Sequence, residues 1–193
     1  MIRIAFLAAL AAATTFVAPT MSRAQDAQIA RGKYLVTIGG CSDCHTPGTF
    51  LGHPDMDKFL GGSDVGFAIP GLGVFPGRNL TPDKDTGLGN WTDEQVIKAM
   101  TTGVRPDGRT LAPIMPVPAF AQLTADDAKA IVAFLRSIKP VHNAVPGPFG
   151  PKDKPSVLVM AILPPDVFAG LPPPPPPAKR KGTLRRIRRR TGE

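Results

Sequence analysis

From Thr46 to Asn90 the chain is crowded with glycine, proline and aspartate, in runs such as "GGSDVG", "IPGLGVFPG" and "TPDKDTGLG". No helix of ordinary length fits there, and no period-2 strand pattern stands out there or elsewhere. Yet Phe50, Leu60, Phe67, Ile69, Leu72 and Phe75 are too many apolar groups for a free linker. A long segment without regular structure inside a compact domain needs something else to organise it. A large embedded cofactor meets that need.

Helices flank this region. "DAQIARGKYLVTIGG" (26–40) places Ala27, Ala30, Tyr34, Leu35 and Ile38 at helical spacing, and Gly39-Gly40 ends the run. "WTDEQVIKAMTTG" predicts a short helix capped by Thr92, with Asp93 and Glu94 in its first turn and Gly103 as its stop. "VRPDGRTLAPIMPVPAF" follows; with four prolines it does not read as helix. Thr124 then caps a further helix, "TADDAKAIVAFLRSIK", whose apolar face is Ile131, Phe134, Leu135 and Ile138. Beyond Pro140 only "SVLVMAIL" suggests a helical turn or two. "DKDTG" resembles the start of a calcium loop, but the later acidic ligand is missing and a turn is expected.

The two ends stand apart from this body. Arg3, the apolar "IAFLAALAAATTFVA" and the small residues of "MSRAQDA" form a secretory signal pattern, with cleavage expected after Ala24. The apolar run falls short of the roughly 20 residues that span a bilayer. At the other end, six prolines (Pro172–Pro177) make a polyproline II spacer of roughly 19 Å at about 3.1 Å per residue. Residues 178–193 then carry eight Lys/Arg against one Glu, a net +7 of the chain's +8. Between Gln25 and Pro177 there are 13 Lys/Arg and 14 Asp/Glu, a net −1. The body is near neutral, so a fold with a basic nucleic-acid-binding face is not supported. The basic tail is a candidate for contact with anionic lipid or an acidic partner.

Both cysteines lie in "GGCSDCHTPG". C-x-x-C-H is the attachment signature of c-type haem: two thiols at this spacing add to the two vinyl groups, and the adjacent histidine reaches the iron. That assigns Cys41 and Cys44 as tethers and His45 as proximal ligand. A structural zinc site needs four ligands, and only His53 and His142 remain. A thioredoxin-type pair expects a βαβ context, which is absent. A Cys41–Cys44 disulfide suits an exported chain but closes only a tiny loop.

For the second axial position Met115 stands out, in the stiff, proline-rich "LAPIMPVPAF". A gap-filling core methionine is the alternative. Met56 is only eleven residues past His45, Met100 sits on the apolar side of its helix, and Met160 is in the ambiguous C-terminal stretch. His53 and His142 are the rivals for a bis-histidine site. Phe59, Phe67, Ile69 and Phe120 are the expected apolar wall.

These features resemble a class I c-type cytochrome: a mainly α, small, loop-rich fold with one covalently bound haem, here followed by a Pro-rich basic tail. "FLGG", "GRNLTPDKDTGLGNWTDEQ" and "DGRTLAPIMPVPAF" resemble, more closely, the cytochrome c subunits of membrane-associated bacterial dehydrogenases. The resemblance covers roughly 27–143. It implies that the first and last helices cross, with Gly32 and Tyr34 meeting Phe134 and Leu135. It implies Met115 as distal ligand and Arg78, Asn79 and Trp91 around the haem or its propionates. The backbone carbonyl of Pro47 is a candidate for orienting His45. Such subunits often carry three haem domains, whereas this chain has one C-x-x-C-H, and the tail is outside the family pattern. Both departures favour a separate single-haem carrier.

The expected layout is a signal peptide (1–24), a cytochrome c domain (25–143), an extension (144–171) and a tail (172–193). The expected function is periplasmic electron transfer, peripheral to the inner membrane, from a substrate dehydrogenase to an oxidase or another cytochrome. No substrate is bound and the chain is not an enzyme on this reading. Two alternatives stand beside it: a haem enzyme or sensor with an exchangeable distal ligand, and a haem-free exported redox module with a Cys41–Cys44 disulfide.

Overall fold

A computed structural model of the chain describes residues 18–172; most of the expected signal segment and the basic tail lie outside them. The helix α1 (Ala18–Ile38) runs through Ala24 without a break. It meets α5 (Ala125–Ser137) in the largest helix–helix contact of the fold. Gly32 makes that approach possible: a Cβ there would lie 1.9 Å from the Ala130 carbonyl oxygen and 2.8 Å from Phe134 Cβ. The buried face of α1 is therefore centred on Gly32 and Val36, with Ile29 and Leu35 partly covered. This corrects the expected face: Tyr34 and Ile38 are exposed, and Tyr34 lies beside Arg31 rather than in the crossing. A close helix approach selects for the missing side chain, and the apolar residues then fall to either side of it.

Between these helices lie the short α2 (Cys41–His45), α3 (Asp93–Thr102) and a single turn, α4 (Val117–Phe120). The expected cap of α3 is present as a full capping box: Gln95 N–H donates to Thr92 Oγ1 at 3.2 Å, and Thr92 N–H donates to Gln95 Oε1 at 2.9 Å. Gly103 ends the helix at φ 74°, and Thr124 caps α5 through Asp127 N–H at 3.1 Å. The core joins α1, α3, α5 and the loop residue Leu60: Val36, Leu60, Val96, Ile131, Val132, Phe134 and Leu135. "DKDTG" is a turn, in which the Asp83 carboxylate accepts from both the N–H and the Oγ1 of Thr86 at 2.7 Å.

A small sheet replaces the expected absence of strands. β1 (Val65–Ile69) pairs antiparallel with β2 (Gly73–Pro76) through Phe67↔Phe75, and parallel with β3 (Leu158–Met160) through Phe67↔Met160. β3 lies within "SVLVMAIL", which is strand and turn rather than helix. Three to five residues are too few to show a period, and the partner that makes β3 a strand sits some ninety residues earlier. The unit built this way extends to Ala161. A second unit begins at Ile162 and contains the short α6 (Pro165–Ala169). Among the described residues, no helix is long and apolar enough to cross a membrane.

Candidate functional site

Gly40, at φ 62°, turns the chain out of α1 and into α2, which carries Cys41, Cys44 and His45. Two hydrogen bonds grip the end of this turn, and a third ties together the loops that make them. Gly62 N–H donates to the His45 carbonyl at 2.8 Å, and Leu60 N–H donates to Thr46 Oγ1 at 2.9 Å. Ser63 N–H donates to the Gly77 carbonyl at 2.9 Å. Leu60 is fully buried at φ 57°, a conformation that costs a bulky residue and is held by the packing around it. Gly77 lies so close to the turn that a Cβ would stand 1.7 Å from the Cys44 carbonyl oxygen and 3.3 Å from His45 Nδ1.

His45 Nδ1–H donates to the backbone carbonyl of Arg78 at 2.6 Å, which leaves Nε2 with its lone pair free. This corrects the expectation for Pro47, whose carbonyl instead accepts from Asp55 N–H at 2.9 Å. The reason is a chain reversal: "PGRN" passes directly behind the imidazole, while Pro47 is already turning away into "PGTF". Burial pushes the His45 imidazole below its usual range, so it is a neutral donor of a lone pair at physiological pH.

All three motif residues line a cavity of about 720 Å³, the size range of pockets that take large ligands. Met115 lines it from the loop before α4, where its N–H donates to the Ala112 carbonyl at 2.9 Å and its own carbonyl accepts from Val117 at 2.7 Å. Met100 lines it too, from α3, while also packing on the core. His53 and Met56 are exposed, and His142 is exposed beside Asp83 at 3.6 Å; none of them lines the cavity. Phe67 and Phe120 are wall residues as expected, joined by Phe75 and Leu135. Phe59 packs on the core and Ile69 lies on the β1 end beyond the cavity, so both depart from that expectation.

Arg78, Asn79 and Trp91 all line the cavity. Asn79 is nearly fully buried, and its amide joins Thr81, Thr86 and the Val141 carbonyl in one network. Trp91 carries the Arg105 guanidinium over its ring, 5.2 Å from the centroid. Arg105 was not apparent from the sequence, nor were Arg109 and Lys84, yet they line the same cavity. Arg105 Nε is buried without a hydrogen-bond partner, 3.4 Å from an Asp107 oxygen that also serves Arg109. Burial, and then the nearby Arg105 and Arg109, lower the Arg78 pKa. The signal that could have found this cluster is "RPDGR", two arginines brought together by a turn.

These features fit a haem. The cavity is large and mostly apolar, its donor set is imidazole, thioether and thiol, and the buried Arg105 Nε, which makes no hydrogen bond, can serve an anionic group such as a propionate. Burial raises the Cys41 pKa to about 11 and raises that of Cys44 as well. Neither thiol is then a ready thiolate at neutral pH, which speaks against a thiol–disulfide exchange pair.

The comparisons agree with this chemistry. The cytochrome c family model matches residues 29–139. The chain is 38% identical over 130 residues to the cytochrome c subunit of the quinone-type alcohol dehydrogenase of Gluconobacter oxydans, covering 67% of this chain and 25% of that one. It is 38% identical over 130 residues to the fructose dehydrogenase cytochrome subunit of Gluconobacter japonicus, covering 66% and 25%. It is 34% identical over 172 residues to the gluconate 2-dehydrogenase cytochrome c subunit of Pantoea cypripedii, covering 86% and 37%. The chain thus spans between a quarter and somewhat over a third of the length of these relatives. The match takes in the C-x-x-C-H turn, Met115, α5 and the part of α1 that carries Gly32 and Val36, and the chain belongs to the cytochrome c family.

Proposed function

We propose that this chain is a single-haem electron carrier of the periplasm, receiving electrons from a substrate dehydrogenase and passing them to an oxidase or another cytochrome. The observation that carries the reading is the cavity that gathers Cys41, Cys44, His45 and Met115 from two separate elements. Haem, when bound, supplies a one-electron change at iron without bond making. Cys41 and Cys44 would tether it, and His45 and Met115 would supply a nitrogen and a sulfur ligand to its iron. With His45 and Met115 both committed to the iron, the site would offer a substrate no place at the metal, and the chain is a carrier rather than an enzyme. The alcohol, fructose and gluconate dehydrogenases named in its relatives indicate the class of donor.

The residues around the cavity have separate tasks. The Arg78 carbonyl fixes the tautomer and plane of His45 and raises its basicity as a ligand. The backbone bonds of Met115 to Ala112 and Val117 would hold its loop, and with it the thioether, in place. Phe67, Phe75, Phe120 and Leu135 keep water out and disfavour the extra charge of the ferric form. Arg105, supported on Trp91, would receive a carboxylate of the haem. The +7 tail adds a contact with anionic lipid at the inner membrane surface.

Protein made with the haem-attachment machinery tests this reading. A pyridine haemochrome spectrum is expected to give one haem c per chain. Carbon monoxide is expected to bind the native ferrous protein slowly, and rapidly after Met115→Ala but not after Met100→Ala. Fast binding to the native protein would favour an enzyme or sensor with an open iron position. Absence of covalent haem would favour the disulfide module.

A further inference from the structure

The cytochrome c match ends at residue 139, but the chain does not leave the site there. It turns back after α5, and Ala144, Val145 and Pro148 become part of the cavity wall. We propose that residues 141–149 are a strap fitted to the haem cavity, fastened by the Arg78 side chain, and that the fastening fixes the same residue's carbonyl behind His45. The proposal rests on the haem reading above.

One residue makes both connections. The Arg78 guanidinium donates to three successive strap carbonyls, those of Val145, Pro146 and Gly147. The Arg78 backbone carbonyl accepts from His45 Nδ1 at 2.6 Å. An arginine fork that ties three carbonyls in a row leaves its own backbone little freedom. These carbonyls also compensate a guanidinium crowded by Arg105 and Arg109.

The strap is seated along its whole length. Val141 N–H donates to Thr81 Oγ1 at 3.0 Å, and its carbonyl accepts from Asn79 Nδ2 at 2.7 Å. Asn143 donates from its amide side chain to the Gly61 carbonyl at 2.9 Å and from its N–H to Thr86 Oγ1 at 3.0 Å. Phe149 and Val74 exchange two backbone hydrogen bonds of 2.9 Å. The surface beneath lacks the atoms that would block it. A Cβ on Gly62 would stand 2.2 Å from Val145 Cγ2, and one on Gly73 would stand 2.0 Å from the Phe149 carbonyl oxygen. Buried Asn79, whose amide is spent on Thr81, Thr86 and the Val141 carbonyl, is an anchor of this strap. Loosening the strap admits water to the cavity, which favours the ferric state, while a slackened carbonyl lowers the basicity of the His45 imidazole and offsets part of that shift.

The test uses the full chain with haem attached, after the haemochrome spectrum has established that haem is present. Arg78→Met removes the fork but keeps the backbone carbonyl. Hydrogen exchange of residues 144–149 is expected to rise at least tenfold, with α5 unchanged. The ferric/ferrous balance is expected to shift up to tenfold toward ferric, which is 59 mV for a one-electron couple. Arg78→Lys, with one donor group, should recover part of both. If Arg78→Met does not fold, Val145→Asn opens the wall while keeping the carbonyl that Arg78 uses, and a shift of the same sign is expected. An unchanged potential in a variant whose strap exchanges faster would overturn the proposal while leaving the haem reading intact. A native chain without covalent haem would overturn both.

Discussion

Gly32→Ala adds one methyl group at the closest point of the fold and should unfold the protein measurably earlier. The new Cβ would meet the Ala130 carbonyl oxygen at 1.9 Å, the Ala130 carbonyl carbon at 2.6 Å and Phe134 Cβ at 2.8 Å. Two of these three atoms are backbone, so no rotamer change relieves the clash. Ordinary contact lies at roughly 3.5 Å, so α1 and α5 must separate by roughly 1.6 Å. A gap of even about 1 Å forfeits up to half of the dispersion attraction across it. The interface that opens includes Val36, Ile131, Phe134 and Leu135, all nearly fully buried. We set the loss at roughly 3–4 kcal/mol, at the upper end of overpacking costs. The substitution also removes a glycine from a helix interior, which returns about 1 kcal/mol.

The net expectation is a destabilisation of roughly 2–3 kcal/mol, or a midpoint roughly 5–10 °C lower at this chain length. Thermal unfolding of the haem-loaded ferric protein, followed by far-ultraviolet circular dichroism, measures it. Lys33→Ala, at the adjacent exposed position, serves as control and should stay within about 0.5 kcal/mol of wild type. The reasoning is refuted if Gly32→Ala melts at or above the wild-type temperature while Lys33→Ala is unchanged. Helix propensity would then outweigh the crossing.

Gly77→Ala should lower the yield of haem-attached protein severalfold, read by haem-stained gel, because its Cβ would displace the Cys44 carbonyl that borders the attachment turn. Stability should start to decline as pH falls below the unfolded imidazole value of about 6.5, because burial holds His45 below it, and decline further below about pH 4 as carboxylates titrate. Asp127, held down by its hydrogen bond from Arg31, has a folded pKa below its unfolded one, so its contribution is present above the unfolded value and disappears as pH falls through the folded one. Asp127→Asn should remove part of that acid dependence in melts across the range. Vesicles of anionic lipid should sediment with the full chain, and added salt at about 0.3 M should release it; equal sedimentation of a form ending at Leu171 would count against the tail.

The helices and their caps were legible because their signals are local. Thr92 with Gln95, Thr124 with Asp127, and Gly103 at the end of α3 each act within one turn. The attachment motif was legible for the same reason, since spacing alone carries its chemistry. Tyr34 misled because hydrophobic periodicity counts the residues present, whereas the crossing is organised by the side chain missing at Gly32. The sheet was not legible because its strands are defined by partners rather than by their own pattern. Arg105 was hidden because its role depends on Trp91, brought to it by the loop after α3.

The Gly- and Pro-rich segment that at first looked structureless is the part that builds the site. Its regular structure is slight, but its backbone polar groups are spent on specific partners: Gly62 on His45, Leu60 on Thr46, Ser63 on Gly77, Leu80 on Leu60. Each bond joins two stretches apart in sequence rather than two turns of one helix, so the loops of the segment hold one another in place. That explains both its composition and its neighbours. Glycine is needed where loops touch, and the helices on either side serve to bring the loop ends together. A fold of this kind concentrates its precision around one histidine, whose ring meets the Arg78 carbonyl and the edge of Gly77 and whose own carbonyl accepts from the Gly62 amide. Changes that spare every apolar side chain, yet alter one of these backbone contacts, should therefore disturb the redox centre before they disturb the helical core.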